Sequence, residues 1–299
     1  MNNHERTCQG RELLGDRGRP IYGPTPPGAA VPCRRESPLS SMEVDETVEL
    51  IAHGRIQRCS VRLPERLLTR DWNSILQVIV QLDARLARSP VGWKVGGASE
   101  DVRRAENCPS PAPGRLYAGT VFESPAVLPR NLFINYRNCE SEFAFRLFRD
   151  LPARDDPYSE REVAECIDCL LPAIEIGDMV FDDWYGASSF FGPCMDNCGS
   201  AALIYGTANR EWKSLDLANA DVSILVNGRH LKSGLGSAAM GHPLTSLTWM
   251  ANWLRERARG LKAGELISTG TCTGHCFVAS RDTVIADFGP LGIVEAGFE

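Results

Sequence analysis

Glu140 and Glu142 stand two residues apart in the β-like run Asn138-Cys-Glu-Ser-Glu-Phe-Ala-Phe-Arg-Leu147. Side chains alternate along a strand, so both carboxylates share one face while Phe143 and Phe145 take the other. Like charges side by side repel and raise one pKa, whereas a hard divalent cation between them converts repulsion into ligation. Taken alone, the segment more often marks the wet face of an amphipathic strand. A third carboxylate changes the balance. In Leu170-Leu-Pro-Ala-Ile-Glu-Ile-Gly177, Glu175 is flanked by Ile174 and Ile176 at the end of an apolar stretch. Burying an unpartnered charge is prohibitively costly, so such a glutamate has a cation or a donor beside it. Three carboxylates plus water suit Mg2+ or Mn2+ better than zinc, which prefers Cys and His. Pattern alone does not show that the three converge.

Other reactive residues are less specific by themselves. Lys94 lies between glycines in Val91-Gly-Trp-Lys-Val-Gly96, where small neighbours allow backbone and ligand to approach. Without further context it reads as a solvated lysine. Thr271 fits a turn, and Asp196 with Asn197 fits a loop or cap. Cys166-Ile-Asp-Cys169 and Cys272-Thr-Gly-His-Cys276 lack the spacing of a four-ligand zinc site and the setting of a redox pair. They are read as packing or surface thiols.

The elements that must position these residues change along the chain. Residues 1–41 are rich in Gly, Pro, Arg and Ser with no apolar period, which predicts a disordered leader. Met42 stands just before the first regular pattern, so the leader reads as an upstream extension. Residues 42–90 form a helical N-terminal portion, clearest where Ile75, Ile79, Leu82 and Leu86 fall on one face. Beyond Val91 come short β-rich runs such as Ala126-Val-Leu128 and Val222-Ser-Ile-Leu-Val226, the latter followed by Asn227-Gly228, a type I′ hairpin signal. Two helices interrupt them. One starts at the capping box Ser159-Glu-Arg-Glu162 and places Val163, Cys166, Ile167 and Leu170 on one face before Pro172. The other begins near Pro243, turns Leu247, Met250, Ala251, Leu254 and Ala258 inward, and ends at Gly260. The expected fold is α+β: a rolled, mixed β-sheet or barrel domain over residues 91–299 behind the helical portion.

Composition narrows the class. The 299 residues are 43% apolar, enough to fill a core. A net charge of −6 and a pI near 5.5 argue against nucleic acid or an anionic membrane as partner. No apolar run approaches the roughly 20 residues of a membrane-crossing helix. Eleven scattered cysteines without a secretory leader predict reduced thiols in a cytoplasmic protein.

Taken in order, several blocks resemble the fumarylacetoacetate hydrolase superfamily, in its 2-keto-4-pentenoate hydratase and 4-oxalocrotonate decarboxylase branch. They are Gly92-Trp-Lys-Val-Gly96, Glu140-Ser-Glu142-Phe-Ala-Phe, Pro172-Ala-Ile-Glu-Ile176, Asp196-Asn-Cys-Gly-Ser200 and Gly234-Leu-Gly-Ser-Ala-Ala-Met-Gly-His-Pro-Leu244. Trp249-Met-Ala-Asn-Trp-Leu254, Leu261-Lys-Ala-Gly264, Ser268-Thr-Gly-Thr271 and Ala286-Asp-Phe-Gly-Pro-Leu-Gly292 complete a likeness over roughly residues 70–299. The resemblance implies Glu140, Glu142 and Glu175 as ligands of Mg2+ or Mn2+, and a small 2-oxo acid that chelates the ion. It implies Lys94 in substrate binding or proton transfer, Thr271 on the substrate carboxylate, and Asp196 and Asn197 near the pocket. It also implies a homo-oligomer and association with a pathway partner enzyme.

The likeness has departures. Hydratases of the branch carry an aspartate after the lysine block; here that region reads Ala112-Pro-Gly-Arg-Leu-Tyr-Ala-Gly119 and has none, with Glu123 the nearest acid. Gly96-Gly-Ala-Ser99 also differs from the usual segment. No histidine pattern recreates the hydrolytic Glu/His pair, and His242 reads as structural. The leading expectation is a lyase that hydrates a substrate such as 2-hydroxypenta-2,4-dienoate in aromatic compound catabolism. The alternatives are a decarboxylase of a 4-oxalocrotonate-like acid, a C–C hydrolase or tailoring enzyme, a degenerate structural partner, and a metal-free carrier of apolar ligands.

Overall fold

Ser40 starts the first helix with a capping box, its hydroxyl accepting the Glu43 N–H while the Glu43 carboxylate accepts the Ser40 N–H. The computed structural model describes residues 35–106, 108–181 and 190–299, so most of the expected leader lies outside the described residues. Helix α1 (Ser41–Gln57) buries Val44, Val48, Ile51 and Ala52. Helix α2 (Trp72–Arg85) buries Ile75, Val78, Ile79 and Leu82, with Leu86 as its C-cap. Together with Val180, Phe181, Phe191 and Met195 they form one core, in which each buried aliphatic side chain contributes about 1.5–3 kcal/mol.

Strand β1 (Pro90–Gly96) follows, then α3 (Glu100–Glu106), β2 (Ala112–Tyr117), β3 (Val121–Glu123), β4 (Ala126–Leu128) and β5 (Asn138–Leu147). After α4 (Glu160–Ala164) come β6 (Ile167–Gly177), α5 (Phe191–Met195), β7 (Ser200–Tyr205), β8 (Asp221–Val226) and β9 (Arg229–Leu235). The chain ends with α6 (Pro243–Arg255), β10 (Leu266–Thr271), β11 (Cys276–Phe277), β12 (Thr283–Asp287) and β13 (Ile293–Phe298). One mixed sheet runs β2-β1-β10-β5-β6-β7-β3, with β11 also on β5; the second runs β4-β13-β12-β8-β9. The α+β expectation holds. Asn227 and Gly228 both have positive φ, at 50° and 74°, and join β8 to β9 as the hairpin signal predicts.

The alternation read from β5 decides which face is which. Phe143 and Phe145 are fully buried; Phe143 meets Phe288 with ring centroids 5.2 Å apart, and Phe145 meets Trp212 at 5.3 Å. The glutamates are thereby turned to the opposite, concave face.

Two expectations are corrected. The capping box at Ser159 forms, but its helix ends at Ala164, and Ile167 and Leu170 belong to β6. Their spacing satisfies a helical period and a strand buried on both faces alike, and pairing with β5 and β7 selects the strand. The later helix ends at Arg255, leaving Ala258 beyond it with φ 53°. Among the described residues, no helix is long and apolar enough to cross a membrane.

Candidate metal centre

Four neighbouring strands, β1, β10, β5 and β6, assemble the site by register. Glu140 pairs with Glu175 across β5 and β6, Thr271 with Glu142, and Lys94 with Ser268. Directly opposed residues have Cβ atoms about 5 Å apart, within reach of one shared cation. One carboxylate oxygen from each of Glu140, Glu142 and Glu175 lies within 4.8 Å of the others. The sheet must curl to add Lys94: β1 and β6 are three strand spacings apart, roughly 14 Å on a flat sheet. Even so, Lys94 Nζ stands 3.0 Å from Glu175 Oε1.

Glu140, Glu142, Glu175 and Lys94 line a cleft together with Tyr136, Asn138, Cys198, Thr271 and His275, and an apolar wall of Val95, Met179, Phe190 and Pro193. Glu142 and Glu175 are each only 1% exposed. Burial, with the charges of Glu175 and Glu140, pushes the Glu142 carboxyl well above its ordinary range. Burial also raises Glu175, although Lys94 opposes it. Burial acts the same way on Glu140, but His275, Lys94 and Lys232 outweigh it and hold that carboxyl below its usual value. Burial would lower Lys94, yet Cys198 and the three glutamates more than compensate, so its ammonium is held above the ordinary lysine range.

Protein groups already flank one side of each carboxylate. Glu142 Oε2 accepts the Ser268 hydroxyl at 2.5 Å and the Gly270 N–H at 2.9 Å. Glu175 Oε1 has no hydrogen bond in the described residues, only the ion pair to Lys94. His275 Nδ1 lies 3.1 Å from Glu140 Oε1 and 2.6 Å from Asn138 Nδ2. Lys94 donates to the Cys198 carbonyl at 2.7 Å. A Cβ on Gly114 would stand 2.8 Å from Lys94 Cε and 2.7 Å from the Asn197 carbonyl, so a glycine is required where this lysine passes. Three hard oxygen donors, two of them almost wholly buried and one neutralised by Lys94, leave an uncompensated negative charge that fits a divalent cation.

Residues 119–299 match the family model described as fumarylacetoacetate (FAA) hydrolase C-terminal. The chain belongs to the fumarylacetoacetate hydrolase family. It is 27% identical over 229 residues to a 2-keto-4-pentenoate hydratase of Paraburkholderia xenovorans, covering 77% of this chain and 83% of that protein. To a 4-oxalocrotonate decarboxylase of Pseudomonas putida it is 31% identical over 137 residues, 46% of this chain and 51% of the relative. In fold it resembles the 4-oxalocrotonate decarboxylase of Pseudomonas putida G7 complexed with magnesium and adipate, with a TM-score of 0.78 and 22% identity over 89% of this chain and all of the other.

In this family member, the remaining expected site residues divide. Thr271 lines the cleft, its oxygen accepting the Gly274 N–H at 2.8 Å. Asp196 and Asn197 are not brought to the cleft. Asp196 accepts from Arg55 and from the Val180 N–H, while Asn197 grips the β2 edge by accepting from Arg115 N at 2.6 Å and donating to Arg115 O at 2.9 Å. They hold the wall behind Lys94. Glu123 lies outside, its carboxylate accepting from Tyr205. His242 caps α6 by accepting the Leu244 N–H. Burial pushes the Cys272 thiol up and Cys276 to about 11, so neither is a ready thiolate.

Sequence reasoning missed Ser268 and His275. Ser268 was in view inside the Ser-Thr-Gly-Thr segment, and its strand pairing with Lys94 is the signal that singles it out. His275 is placed by β11, which pairs Cys276 with Cys139 beside Glu140.

Proposed function

We propose that this chain is a Mg2+- or Mn2+-dependent lyase that adds water to a small unsaturated 2-oxo acid such as 2-hydroxypenta-2,4-dienoate. The observation that carries the reading is the convergence of Glu140, Glu142 and Glu175 beside Lys94 in one cleft, in a chain whose relatives include hydratases of such acids. A cation held by the three glutamates would supply Lewis-acid polarisation of the 2-oxo group.

The chain's own residues supply binding and orientation. The Lys94 ammonium, held at Glu175 and the Cys198 carbonyl, offers charge and N–H donors to substrate oxygens. Thr271, whose oxygen already accepts the Gly274 N–H, has its hydroxyl hydrogen to donate to the substrate carboxylate. Val95, Met179, Phe190 and Pro193 give the hydrocarbon part an apolar wall and limit water around it.

A second reading, decarboxylation of a 4-oxalocrotonate-like acid, is favoured by one observation. Strand β2 brings no acid to the cleft: Gly114 packs on Lys94, and Arg115 lies over Trp93, 3.9 Å from the ring centroid. The aspartate expected to assist hydration thus has no counterpart on that strand.

The test is calorimetric titration of chelator-stripped protein with Mg2+ and Mn2+, then with oxalate, followed by turnover assays. Oxalate heat that appears only with the cation supports the metal-chelating site. Loss of dienol absorbance without CO2 marks a hydratase, and CO2 release marks a decarboxylase. If the protein binds neither cation nor oxalate, the lyase reading fails. A steric prediction follows for the same assays: Gly114→Ala should lower kcat/KM by about 100-fold through displacement of Lys94. Cation affinity should stay within a few-fold of wild type, which calorimetry reads separately.

A further inference from the structure

Two cysteines meet beside Lys94, and the lyase chemistry uses neither thiol. We propose that Cys194 and Cys198 are an oxidation site, at which a peroxide entering the cleft joins them as a disulfide and thereby releases Lys94 from its backbone support. The disulfide stands apart from the proposed reaction; only its effect on substrate binding rests on the lyase reading.

The pair sits at the junction of α5 and the turn before β7. Cys194 is fully buried in α5, its thiol donating to the Phe190 carbonyl at 3.3 Å. The chain then folds back, with Asn197 and Cys198 both at positive φ, 58° and 52°. That reversal packs Cys198 against the core containing Cys194 and puts the two thiols in hydrogen-bond contact. Their access differs. Cys194 is sealed in the core, whereas Cys198 is only partly buried and lines the cleft. A Cβ on Gly96 would stand 2.3 Å from Cys198 Sγ and 3.4 Å from Lys94 Nζ, so the thiol and the ammonium are neighbours over that glycine. A thiol partly exposed beside a cation is the kind that oxidises, because the cation favours the thiolate.

Each step balances. The Cys198 sulfur attacks one oxygen of hydrogen peroxide, the O–O bond breaks, and the products are a sulfenic acid and water. The Cys194 sulfur then displaces the sulfenic oxygen, which leaves as a second water with the remaining thiol proton. Two S–H bonds and one O–O bond are lost, one S–S bond forms, and the peroxide takes the two electrons. That bond holds the sulfurs about 2 Å apart, closer than two thiols in contact. Cys194 lies in a packed core, so Cys198 does the moving. Its carbonyl, which accepts from Lys94 Nζ at 2.7 Å, moves with it and leaves the ammonium without the backbone partner that balances its pull toward Glu175.

The experiment treats the full chain, freed of metal, with a small excess of hydrogen peroxide, removes the peroxide, and divides the sample. Asp196 lies between the two cysteines, so a protease that cuts before aspartate separates them unless a disulfide joins the fragments. Peroxide should yield the joined fragments, and dithiothreitol should part them. With Mg2+ added to the second portion, oxalate affinity is expected to fall about tenfold, the scale of one charge-assisted hydrogen bond, and to return on reduction. Cys194→Ala and Cys194→Ser, which leave the cleft lining unchanged, should form no link and keep their oxalate affinity through the same treatment; thermal unfolding checks that they fold. Absence of the joined fragments in wild type overturns the proposal. So does an equal loss of affinity in the Cys194 variants, which assigns the effect to another thiol or to Cys198 alone. A link that leaves oxalate affinity unchanged overturns the release of Lys94. If untreated protein binds neither Mg2+ nor oxalate, the lyase reading fails, while the joined fragments still decide the disulfide.

Discussion

Replacing Glu142 with glutamine is expected to weaken Mn2+ binding by at least ~100-fold and to abolish turnover, the upper end of what even indirect support of a metal is worth. The same change should make the metal-free protein harder to unfold at neutral pH. In the metal-free chain, burial and the charges of Glu175 and Glu140 push the Glu142 carboxyl well above its ordinary value of 4.5. An acid whose folded pKa is raised favours folding below its unfolded pKa and loses that contribution as pH rises through the folded value. Metal-free wild type should therefore lose stability as pH climbs from about 4.5, and glutamine removes this loss. Thermal unfolding in chelator at pH 5 and pH 8 reads it, with the variant gaining on wild type at the higher pH. Excess Mn2+ should reverse the order, since a ligand at 100 times its Kd adds about 2.7 kcal/mol to the form that binds it. Undiminished Mn2+ binding in the variant would remove Glu142 from the ligand set. A variant less stable than wild type in chelator would show that the three carboxylates do not repel.

The expected pairing of weaker function with higher metal-free stability follows from carboxylates held close against their own repulsion. It also explains why part of the site is legible in the sequence. Glu140 and Glu142 stand out because alternation in β5 puts two acids on one face, and Glu175 because it interrupts an apolar run. Their convergence is not legible, since it depends on the β5–β6 register that sets Glu140 opposite Glu175. The same limit applies to β6, where apolar residues at helical spacing belong to a strand buried on both faces. Asp196 and Asn197 are visible as a motif, but their partners Arg55 and Arg115 lie 141 and 82 residues away. Their role as wall supports is consequently a tertiary fact. His275 reaches Glu140 only because β11 adds to the end of β5.

Arg55 ties the helical portion to this wall, and removing it should be costly. Arg55→Met is expected to destabilise the protein by about 3–5 kcal/mol, the cost of stranding buried charge, and to lower Tm by roughly 10 °C. Gly54 lets α1 lie close: a Cβ there would stand 2.2 Å from Val180 Cγ2. The next residue, Arg55, donates through Nε to Asp196 Oδ1 at 3.0 Å and through Nη2 to Asp196 Oδ2 at 2.5 Å, and it also pairs with Asp178 at 3.3 Å. Burial works against the charge on Arg55, but Asp196 and Asp178 hold its pKa above the ordinary value. Asp178 in turn accepts the Ile134, Asn135 and Tyr136 N–H groups, and Asp196 leads into the turn whose Cys198 carbonyl holds Lys94. Methionine fills the volume but leaves two buried carboxylates without a counter-charge, so kcat/KM should fall at least ~10-fold along with stability through displacement of Lys94. The decisive comparison is Arg55→Met against Arg55→Met/Asp196→Asn. If stranded charge is the cause, the double variant is the more stable of the two, because it has one fewer unpaired carboxylate. If the single variant melts close to wild type, or the second change makes matters worse, Arg55 acts through packing and the wall behind Lys94 is held by something other than this ion pair.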